Sequence, residues 1–403
     1  MLNKLATVLF AILILSGACI NTITFSIKVP ASELEIPFSI NLDSLTQRPT
    51  NALSLIETID GRSQQIPCQV TETKPARLYW LCTPHHQPTK RTYTLVNRAS
   101  VGDSIKIVNA HGALTIRTHN KDLLRYHYKS VYPPAGVDTI FKRSGFIHPV
   151  WAPNGQILTR IQPPDHYHHY GIWNPWTRTL FENDTIDFWN LHARKGTVRF
   201  AKFISYASGP VFAEYTTLHE HVVFKKDRTE KIALNELQTV RVYKPEPDQK
   251  YYFVDITSKL SCASDSPLLI LAYRYGGLAW RATEYWHKDN SEMLTSEGNT
   301  MSAADATRAK WIMGYGKLPE NDSGGILILS HSANYNYPEP LRVWDKDGNN
   351  GRGDVFINFA PTKNKDWMLE PGKTSTLTYR LVVFNGIITK EKAESAWVSF
   401  TSQ

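Results

Sequence analysis

Three histidines stand within four positions in the segment from Asp165 to Gly171. Imidazole titrates near neutral pH, so such a cluster could shuttle protons or bind a metal ion. Two prolines precede the cluster and favour an extended chain, which would direct His166 and His168 to one face and His169 to the other. His166 and His168, with Tyr170 beside them, are therefore candidate catalytic residues, whereas His169 is the histidine best suited to packing.

A divalent metal is a candidate cofactor of this cluster, although no cofactor is certain. Two histidines on one face would need at least one further ligand from elsewhere in the chain. The candidates for that ligand are His148, Asp187, His287 and His331. The alternative is that the histidines only hydrogen-bond the backbone of their own loop.

Two arginines of a later segment could recognise an anionic group. Arg274 and Arg281 lie on either side of a Gly276-Gly277 bend, and their guanidinium groups could clamp a carboxylate or a sulfate. The alternative is a structural role, in ion pairs with nearby carboxylates. Glu297, in the turn Thr295–Gly298, could act as a general acid or base if burial raised its pKa.

A third segment begins with His331, directly after an apolar strand. A histidine at a strand end beside a loop is well placed for catalysis. Asn334 and Arg342 could orient it or contact a substrate. Trp173 and Trp189 are candidate substrate-binding residues because their flat rings suit sugar faces, but most aromatic residues in such a chain pack in the core.

The elements that position these loops are predicted by short runs in which polar and apolar residues alternate. No segment with the apolar spacing of a helix separates these runs. This pattern predicts an all-β protein, with a small N-terminal β-sandwich domain over residues 19–100 and a large antiparallel β-sandwich over 101–403. A terminal helix is expected at Thr389–Val398, with Thr389 as its N-cap. The longest predicted strands are Lys231–Tyr243, Val211–His221 and Tyr251–Ser261.

Residues 1–18 have the pattern of a signal peptide: Lys4, an apolar run to Leu15, and small residues before Cys19. We therefore expect a periplasmic, secreted or outer-membrane-anchored protein, with Cys19 as a candidate lipid anchor. No later apolar stretch reaches the length of a transmembrane segment. Cys68 and Cys82 flank a predicted hairpin and could form a disulfide in an oxidising compartment.

The formal net charge of +8 favours anionic partners such as acidic or sulfated polysaccharides. Nucleic acid is not an expected partner, because the chain has no recognition motif and carries an export signal.

The chain resembles a bacterial family labelled PmoA-like or "methane oxygenase", the domain of unknown function 6807. The resemblance covers roughly residues 105–390. Its motifs are Pro163-Pro164-Asp165-His166 with His168-His169 and Gly171, Asp187-Phe188-Trp189, Tyr275-Gly276-Gly277-Leu278 with Arg281, Thr295-Ser296-Glu297-Gly298, Arg308-Ala309-Lys310-Trp311, Pro338-Glu339-Pro340 with Arg342-Val343-Trp344, and Phe359-Ala360-Pro361. The resemblance implies an accessory enzyme of polysaccharide degradation, and a large sandwich similar to those of sugar mutarotases and some polysaccharide lyases.

The residue types favour a lyase or dehydratase that performs elimination on a uronate-containing oligosaccharide, with or without sulfate groups. An arginine or a histidine-bound metal would neutralise the substrate carboxylate, while His168, Tyr170 and His331 are the candidates for proton transfer. The first alternative is a glycoside hydrolase that pairs Glu297 with Asp165 or Asp187. The second is a non-catalytic sugar-binding lipoprotein.

Overall fold

The computed structural model describes residues 11–13, 22–45, 53–71, 73–98, 100–119 and 121–402, which form two compact units. The first unit comprises Met1–Ile105, Ser208–Phe212 and Thr389–Gln403, and the second comprises Lys106–Ala207 and Ala213–Ile388. The sequence-based division at residue 100 differs from these units mainly at the C terminus, where the last segment groups with the first unit.

The first unit contains two antiparallel sheets and one helix. Its strands are β1 (Ala11–Leu13), β2 (Ile23–Val29), β3 (Ile36–Asn41), β4 (Leu53–Ile59), β5 (Arg62–Ile66), β6 (Gln69–Thr71), β7 (Arg77–Cys82) and β8 (Thr89–Asn97). They form sheets of order β1-β2-β8-β4-β5 and β3-β7-β6. Alternate side chains such as Phe25, Leu55 and Trp80 are buried in a common core.

Helix α1 (Lys390–Thr401) begins where the sequence predicts. Thr389 is its N-cap, and the Thr389 hydroxyl accepts the backbone N–H of Lys392 at 3.3 Å. This bond satisfies one of the free N–H groups of the first turn.

The expected disulfide between Cys68 and Cys82 is wrong, because both are free thiols. Strand β6 pairs with β7 in the register Gln69↔Tyr79, which would place Cys68 opposite Trp80 rather than Cys82. Each sulfur instead has its own polar neighbour. Sγ of Cys82 lies 3.2 Å from the hydroxyl of Tyr93, and Sγ of Cys68 lies 3.6 Å from the carbonyl oxygen of Leu53.

The second unit is a large antiparallel β-sandwich, which confirms the predicted fold class. Its strands are β9 (Lys106–Ala110), β10 (Ala113–Thr118), β11 (Lys121–His127), β12 (Phe146–Val150), β13 (Ile172–Trp173), β14 (Thr179–Phe181), β15 (Asp184–Ile186), β16 (Gly196–Ala207), β17 (Phe212–Phe224), β18 (Glu230–Tyr243), β19 (Tyr251–Cys262), β20 (Leu268–Ile270), β21 (Ala279–Arg281), β22 (Ser291–Thr295), β23 (Trp311–Lys317), β24 (Ser323–Ser330), β25 (Leu341–Val343), β26 (Phe356–Phe359), β27 (Trp367–Leu369) and β28 (Thr374–Asn385). Short 3₁₀ turns occur at Thr139–Phe141, Leu191–Ala193 and Pro319–Asn321.

Two eight-stranded sheets dominate this unit. The first has the order β25-β26-β21-β13-β12-β11-β10-β9, and the second has the order β16-β17-β18-β19-β28-β24-β23-β22. A four-stranded sheet, β15-β14-β20-β27, accompanies them. Trp280 of the first sheet packs against the backbone of Gly314 in the second, where a Cβ atom would lie 2.9 Å from its ring. The core therefore lies between the two large sheets.

Among the described residues, no helix is long and apolar enough to cross a membrane. Most of the expected signal peptide, and Cys19 with it, lies outside the described residues, so the leader and the lipid anchor stay predictions.

Candidate functional site

The candidate site lies on the outer face of the first eight-stranded sheet, the face turned away from the core. Trp280 points into the core, and the register pairs it with Ile172 on one side and Ile357 on the other. Because side chains alternate along a strand, the neighbours of these residues point outward. Those neighbours are Trp173, Arg281 and Phe356.

The three histidines lie on a loop that folds over this face, which we call the histidine loop (residues 161–170). A bridge between Ile161 and Tyr170 closes the loop. Inside it, the N–H of His166 donates to the carbonyl oxygen of Pro163 at 2.9 Å, and the N–H of His169 donates to that of His166 at 3.0 Å. The expected extended segment is therefore wrong, because two successive turns fold the chain back on itself.

These turns bring all three imidazoles together. The ring centroids of His166 and His168 are 5.4 Å apart, and His169 lies 4.8 Å from each of them. The prediction that His169 faces away from the other two is wrong in geometry. Its ring is nevertheless buried and stacks on Phe356 at 5.1 Å, which gives it a packing role.

Glycine at position 171 allows the loop to approach the sheet. Gly171 has a φ of +61°, and a Cβ atom there would lie 2.3 Å from the carbonyl oxygen of Ile147. The N–H of Gly171 donates to Arg160, and its carbonyl oxygen accepts from Arg281. Any larger residue would strain this backbone and push the loop away from β12.

His168 is held in its neutral form. Burial, followed by the neighbouring His166 and His192, lowers the pKa of His168 to about 3. The ring of His192 lies 6.3 Å away, in the Leu191–Ala193 turn. Neither ring nitrogen of His168 has a hydrogen-bond partner within the described part of the chain, so its unprotonated nitrogen can accept a proton from a substrate.

His166 is oriented by a carboxylate. Its Nδ1 lies 2.7 Å from Oδ2 of Asp165. Burial would raise the pKa of Asp165, but the bond to His166 and the charge of Arg281 outweigh it and lower the pKa to about 2. Asp165 is therefore ionised at neutral pH, and its charge would compensate a proton taken up by His166.

Arg281 forms ion pairs that connect the histidine loop to the sheet, so its guanidinium is not available to bind a ligand. Its guanidinium donates to Asp165 at 3.1 Å and also to Asp354, and its side chain is only 1% exposed. It also stacks over the ring of Trp344 at 4.4 Å. The sequence interpretation of Arg281 as a substrate-binding residue is therefore not supported, and the structural alternative describes it better.

A cationic rim lies beside the histidines, formed by Arg274 and Arg342 around the ring of Tyr275 and by Lys363, which shares Asp305 with Arg342. The guanidinium groups of Arg274 and Arg342 lie 5.4 and 5.1 Å from the ring centroid of Tyr275. Asp305 binds both Arg342, at 2.7 Å, and Lys363, at 3.2 Å. Three cations thus face a single carboxylate, which leaves positive charge for an anionic ligand.

Trp344 connects the rim to the histidine loop. Its indole N–H donates to the hydroxyl of Tyr275 at 3.3 Å, and its ring lies 4.8 Å from that of His166. Trp344 therefore lies between the ring of His166 and the hydroxyl of Tyr275.

Three other predicted site residues are buried beneath the loop. Tyr170 is fully buried and its hydroxyl donates to the carbonyl oxygen of Phe141, so that proton is already committed. Trp173 and Trp189 are 1% and 2% exposed and belong to the apolar cluster under the histidines. They support the loop, and neither presents a ring face to solvent.

The remaining predicted residues lie outside this group of contacts. Asn334 is buried and donates to Glu339 at 2.8 Å and to the carbonyl oxygen of Thr378 at 3.0 Å. Nδ1 of His331 accepts the N–H of Ala333 at 3.1 Å. Glu297 is exposed, so the burial that would suit it to acid–base catalysis is absent.

The structure offers no ready metal site near the histidines. Asp187 accepts the N–H groups of Trp189 and Asn190, both at 2.8 Å, and Nδ1 of His148 lies 2.9 Å from the hydroxyl of Thr159. Across the described ranges, no group of three or more His, Cys, Asp or Glu is placed to hold an ion.

We expect the unfolding free energy to fall as pH is lowered from 6.5 towards 3. His168 and His148 have a pKa of about 3 in the folded protein against 6.5 in the unfolded chain. The unfolded state therefore binds more protons across this window, and each histidine costs at most about 1.4 kcal/mol per pH unit. Urea unfolding at several pH values measures this slope. His168→Gln should have a shallower slope than wild type, and equal slopes would contradict the assignment.

The fold and the site together define a two-sheet β-sandwich protein with a histidine cluster and a cationic rim on the outer face of one sheet. The chain belongs to DUF6807, a family of unknown function, whose model matches residues 113–398. The matched region contains every residue of the site. No curated protein matches the chain significantly.

Among solved structures, the chain is similar to a protein in the glycosyl hydrolase family 38 from Enterococcus faecalis. The two share 9% sequence identity with a TM-score of 0.38, and the match covers 96% of this chain. The chain spans 46% of the length of that protein. A likeness at this level carries no argument about activity.

Proposed function

We propose that this protein is a carbohydrate-active lyase or dehydratase that performs elimination on a uronate-containing oligosaccharide. The observation that carries the proposal is the pair His166 and His168 beside a cationic rim. The ring of His166 lies 4.8 Å from Trp344, whose indole N–H donates to Tyr275 of the rim. The ring of His168 lies 5.4 Å from that of His166, is neutral, and has no hydrogen-bond partner among the described residues. Elimination next to a carboxylate needs this combination of a base and a neutralising charge.

In the proposed reaction, the cationic rim binds the substrate carboxylate and so acidifies the hydrogen on the adjacent carbon. His168 takes that proton, and the electron pair of the broken C–H bond forms a C=C bond. The C–O bond to the leaving group breaks, and a protonated His166, compensated by Asp165, gives its proton to the leaving oxygen. The products are an unsaturated uronate and a free hydroxyl group.

The carboxylates favour this reaction over hydrolysis, which commonly uses one ionised and one protonated carboxyl group. Asp165 is ionised and bound to Arg281. Asp187 is occupied by backbone N–H groups, and Glu297 is exposed and outside the cluster. The two pairs considered from the sequence, Glu297 with Asp165 and Glu297 with Asp187, therefore do not provide the two facing carboxyl groups that hydrolysis needs.

The test is incubation with a panel of uronate oligosaccharides: oligogalacturonates, alginate fragments, hyaluronan fragments and glucuronoxylan fragments. Elimination produces the ultraviolet absorbance of an unsaturated uronate, and a lyase leaves the summed mass of the two fragments equal to that of the substrate. New reducing ends without that absorbance, with one water added to the summed mass, would establish hydrolysis instead. No change in any substrate would refute catalysis on this panel. Export to the periplasm or cell surface would bring the enzyme to such substrates and stays a prediction.

A further inference from the structure

A second depression, which we call the Tyr285 groove, lies beside the histidine loop and has a volume of about 520 Å³. Gln162 and Pro163 of the histidine loop form one side of it, and Ile157 and Tyr285 also line it. This volume falls within the roughly 300–1,000 Å³ range of small-molecule sites. The groove therefore borders the histidine loop, and none of the rim residues Arg274, Arg342 and Lys363 lines it.

Tyr285 offers a preorganised stacking surface in this groove. Its side chain is 48% exposed. The adjacent Trp286 is fully buried and its indole N–H donates to the carbonyl oxygen of Lys317 at 2.9 Å. The side chain of Asn290 donates to the carbonyl oxygen of Tyr285 at 2.8 Å. An exposed ring on a fixed backbone suits the flat apolar face of a sugar ring, because little conformational entropy is lost on binding.

The groove also has polar groups for sugar hydroxyls. Burial, followed by the charges of His127 and Arg125, lowers the pKa of His148 to about 3, so this groove residue is a neutral imidazole. The guanidinium of Arg160 is 20% exposed, and the carboxylate of Glu284 has no partner among the described residues. Sugar hydroxyls donate and accept hydrogen bonds, so a mixture of donors and acceptors matches them.

The charge of the groove differs from that of the rim. Arg160 and Glu284 carry opposite charges, and Arg160 also lies 3.9 Å from Asp354. The rim, in contrast, has three cations and one carboxylate. The groove therefore has no excess charge with which to attract a second uronate.

We propose that the Tyr285 groove binds an uncharged sugar residue of the same oligosaccharide whose uronate is bound at the cationic rim. The assignment of the uronate rests on the proposed function. The groove itself rests on the exposed ring of Tyr285, the neutral imidazole of His148 and the balanced charge. The substrate is then a mixed chain, in which uncharged sugars neighbour the uronate.

The experiment measures binding by calorimetry in a His168→Ala background, in which turnover is expected to be slow. Three probes of tetrasaccharide size contain both uronate and uncharged sugar residues, and we call them mixed probes: hyaluronan, unsulfated chondroitin and glucuronoxylan fragments. Two probes are all-uronate, tetragalacturonate and tetraguluronate. We expect at least one mixed probe to bind more tightly than both all-uronate probes. Adding Tyr285→Ala should raise its Kd about tenfold, the loss of one stacking contact.

Tyr206→Ala is the matched control, because Tyr206 is 61% exposed on β16 of the other large sheet. It should leave the Kd unchanged. Equal Kd values for the Tyr285→Ala and Tyr206→Ala variants, or no binding of any mixed probe, would overturn the groove assignment.

The two proposals fail in different ways. If binding depends on Tyr285 but no probe is converted by wild type, the groove stands and the elimination proposal fails. If wild type eliminates all-uronate chains and Tyr285→Ala has no effect, the elimination proposal stands and the groove assignment fails.

Discussion

Replacing His168 by alanine is expected to lower the rate of elimination by roughly 10²- to 10⁴-fold, the usual contribution of a positioned general base. The reason is that His168 is the histidine of the cluster that is neutral, half-buried and without a hydrogen-bond partner among the described residues. The measurement is kcat/KM on whichever uronate substrate the panel identifies. Folding is checked by the urea midpoint, since the imidazole also packs against His166 and His169.

The pH profile tests whether the base is already unprotonated at neutral pH. Because the pKa of His168 in the free protein is about 3, kcat/KM should not decline on the acid side near 6.5, where an ordinary histidine titrates. His86→Ala, at an exposed position of the first unit, is the control and should retain wild-type activity. A His168→Ala variant within threefold of wild type would remove His168 from the mechanism.

His331 provides a further comparison, because the sequence pointed to it as strongly as to His168. Its backbone N–H donates to the carbonyl oxygen of Thr378 in β28, on the second large sheet, and its Nδ1 accepts the N–H of Ala333, whereas the histidine loop lies on the first large sheet. His331→Ala should therefore lose much less activity than His168→Ala.

Long alternating strands were predictable from the sequence because their period is carried by many residues. β2 has the predicted bounds Ile23–Val29, and β19 (Tyr251–Cys262) extends its prediction by one residue. Short strands were not predictable. β13 has two residues and β21 has three, too few to show a period, and their pairing depends on neighbours distant in the sequence.

The site was predictable in residue type but not in geometry. The spacing of the histidines identified the loop on which the structure brings three imidazoles together. Its turns, however, depend on contacts such as the N–H of Gln162 donating to the carbonyl oxygen of His169 at 2.8 Å, which no local pattern reveals. His192 was missed because it stands alone in the Leu191–Ala193 turn, and only the fold brings it near His168.

Arg281 illustrates why a charged residue cannot be assigned to a ligand from the sequence alone. Arg281 lies on the outer face of β21 because side chains alternate along the strand and its neighbour Trp280 points into the core. Its partners, Asp165 and Asp354, lie 116 and 73 residues away along the chain. An arginine that binds two carboxylates under a folded loop has a structural role, whereas Arg274 is exposed and stacks on the ring of Tyr275 together with Arg342.

Arg281→Met is expected to lower the unfolding free energy by roughly 3–5 kcal/mol, because breaking a buried ion pair leaves its partner charge uncompensated. The side chains of Arg281 and Asp354 are 1% and 4% exposed. Arg352 and Asn349 still bind Asp354 in the variant, which favours the lower end of this range. Urea unfolding at neutral pH measures the loss.

The matched control is Arg199→Met, since Arg199 also binds two carboxylates, Glu220 and Glu230, but is 42% exposed. Exposed ion pairs contribute about 1 kcal/mol or less, so this variant should unfold near the wild-type midpoint. The double variant Arg281→Met with Asp354→Asn should be less destabilised than the sum of the single changes, because neutralising Asp354 removes the stranded charge. If Arg281→Met were as stable as Arg199→Met, the histidine loop would not depend on this ion pair, and Arg160, Arg352 and Asn349 would suffice to compensate the buried carboxylate of Asp354.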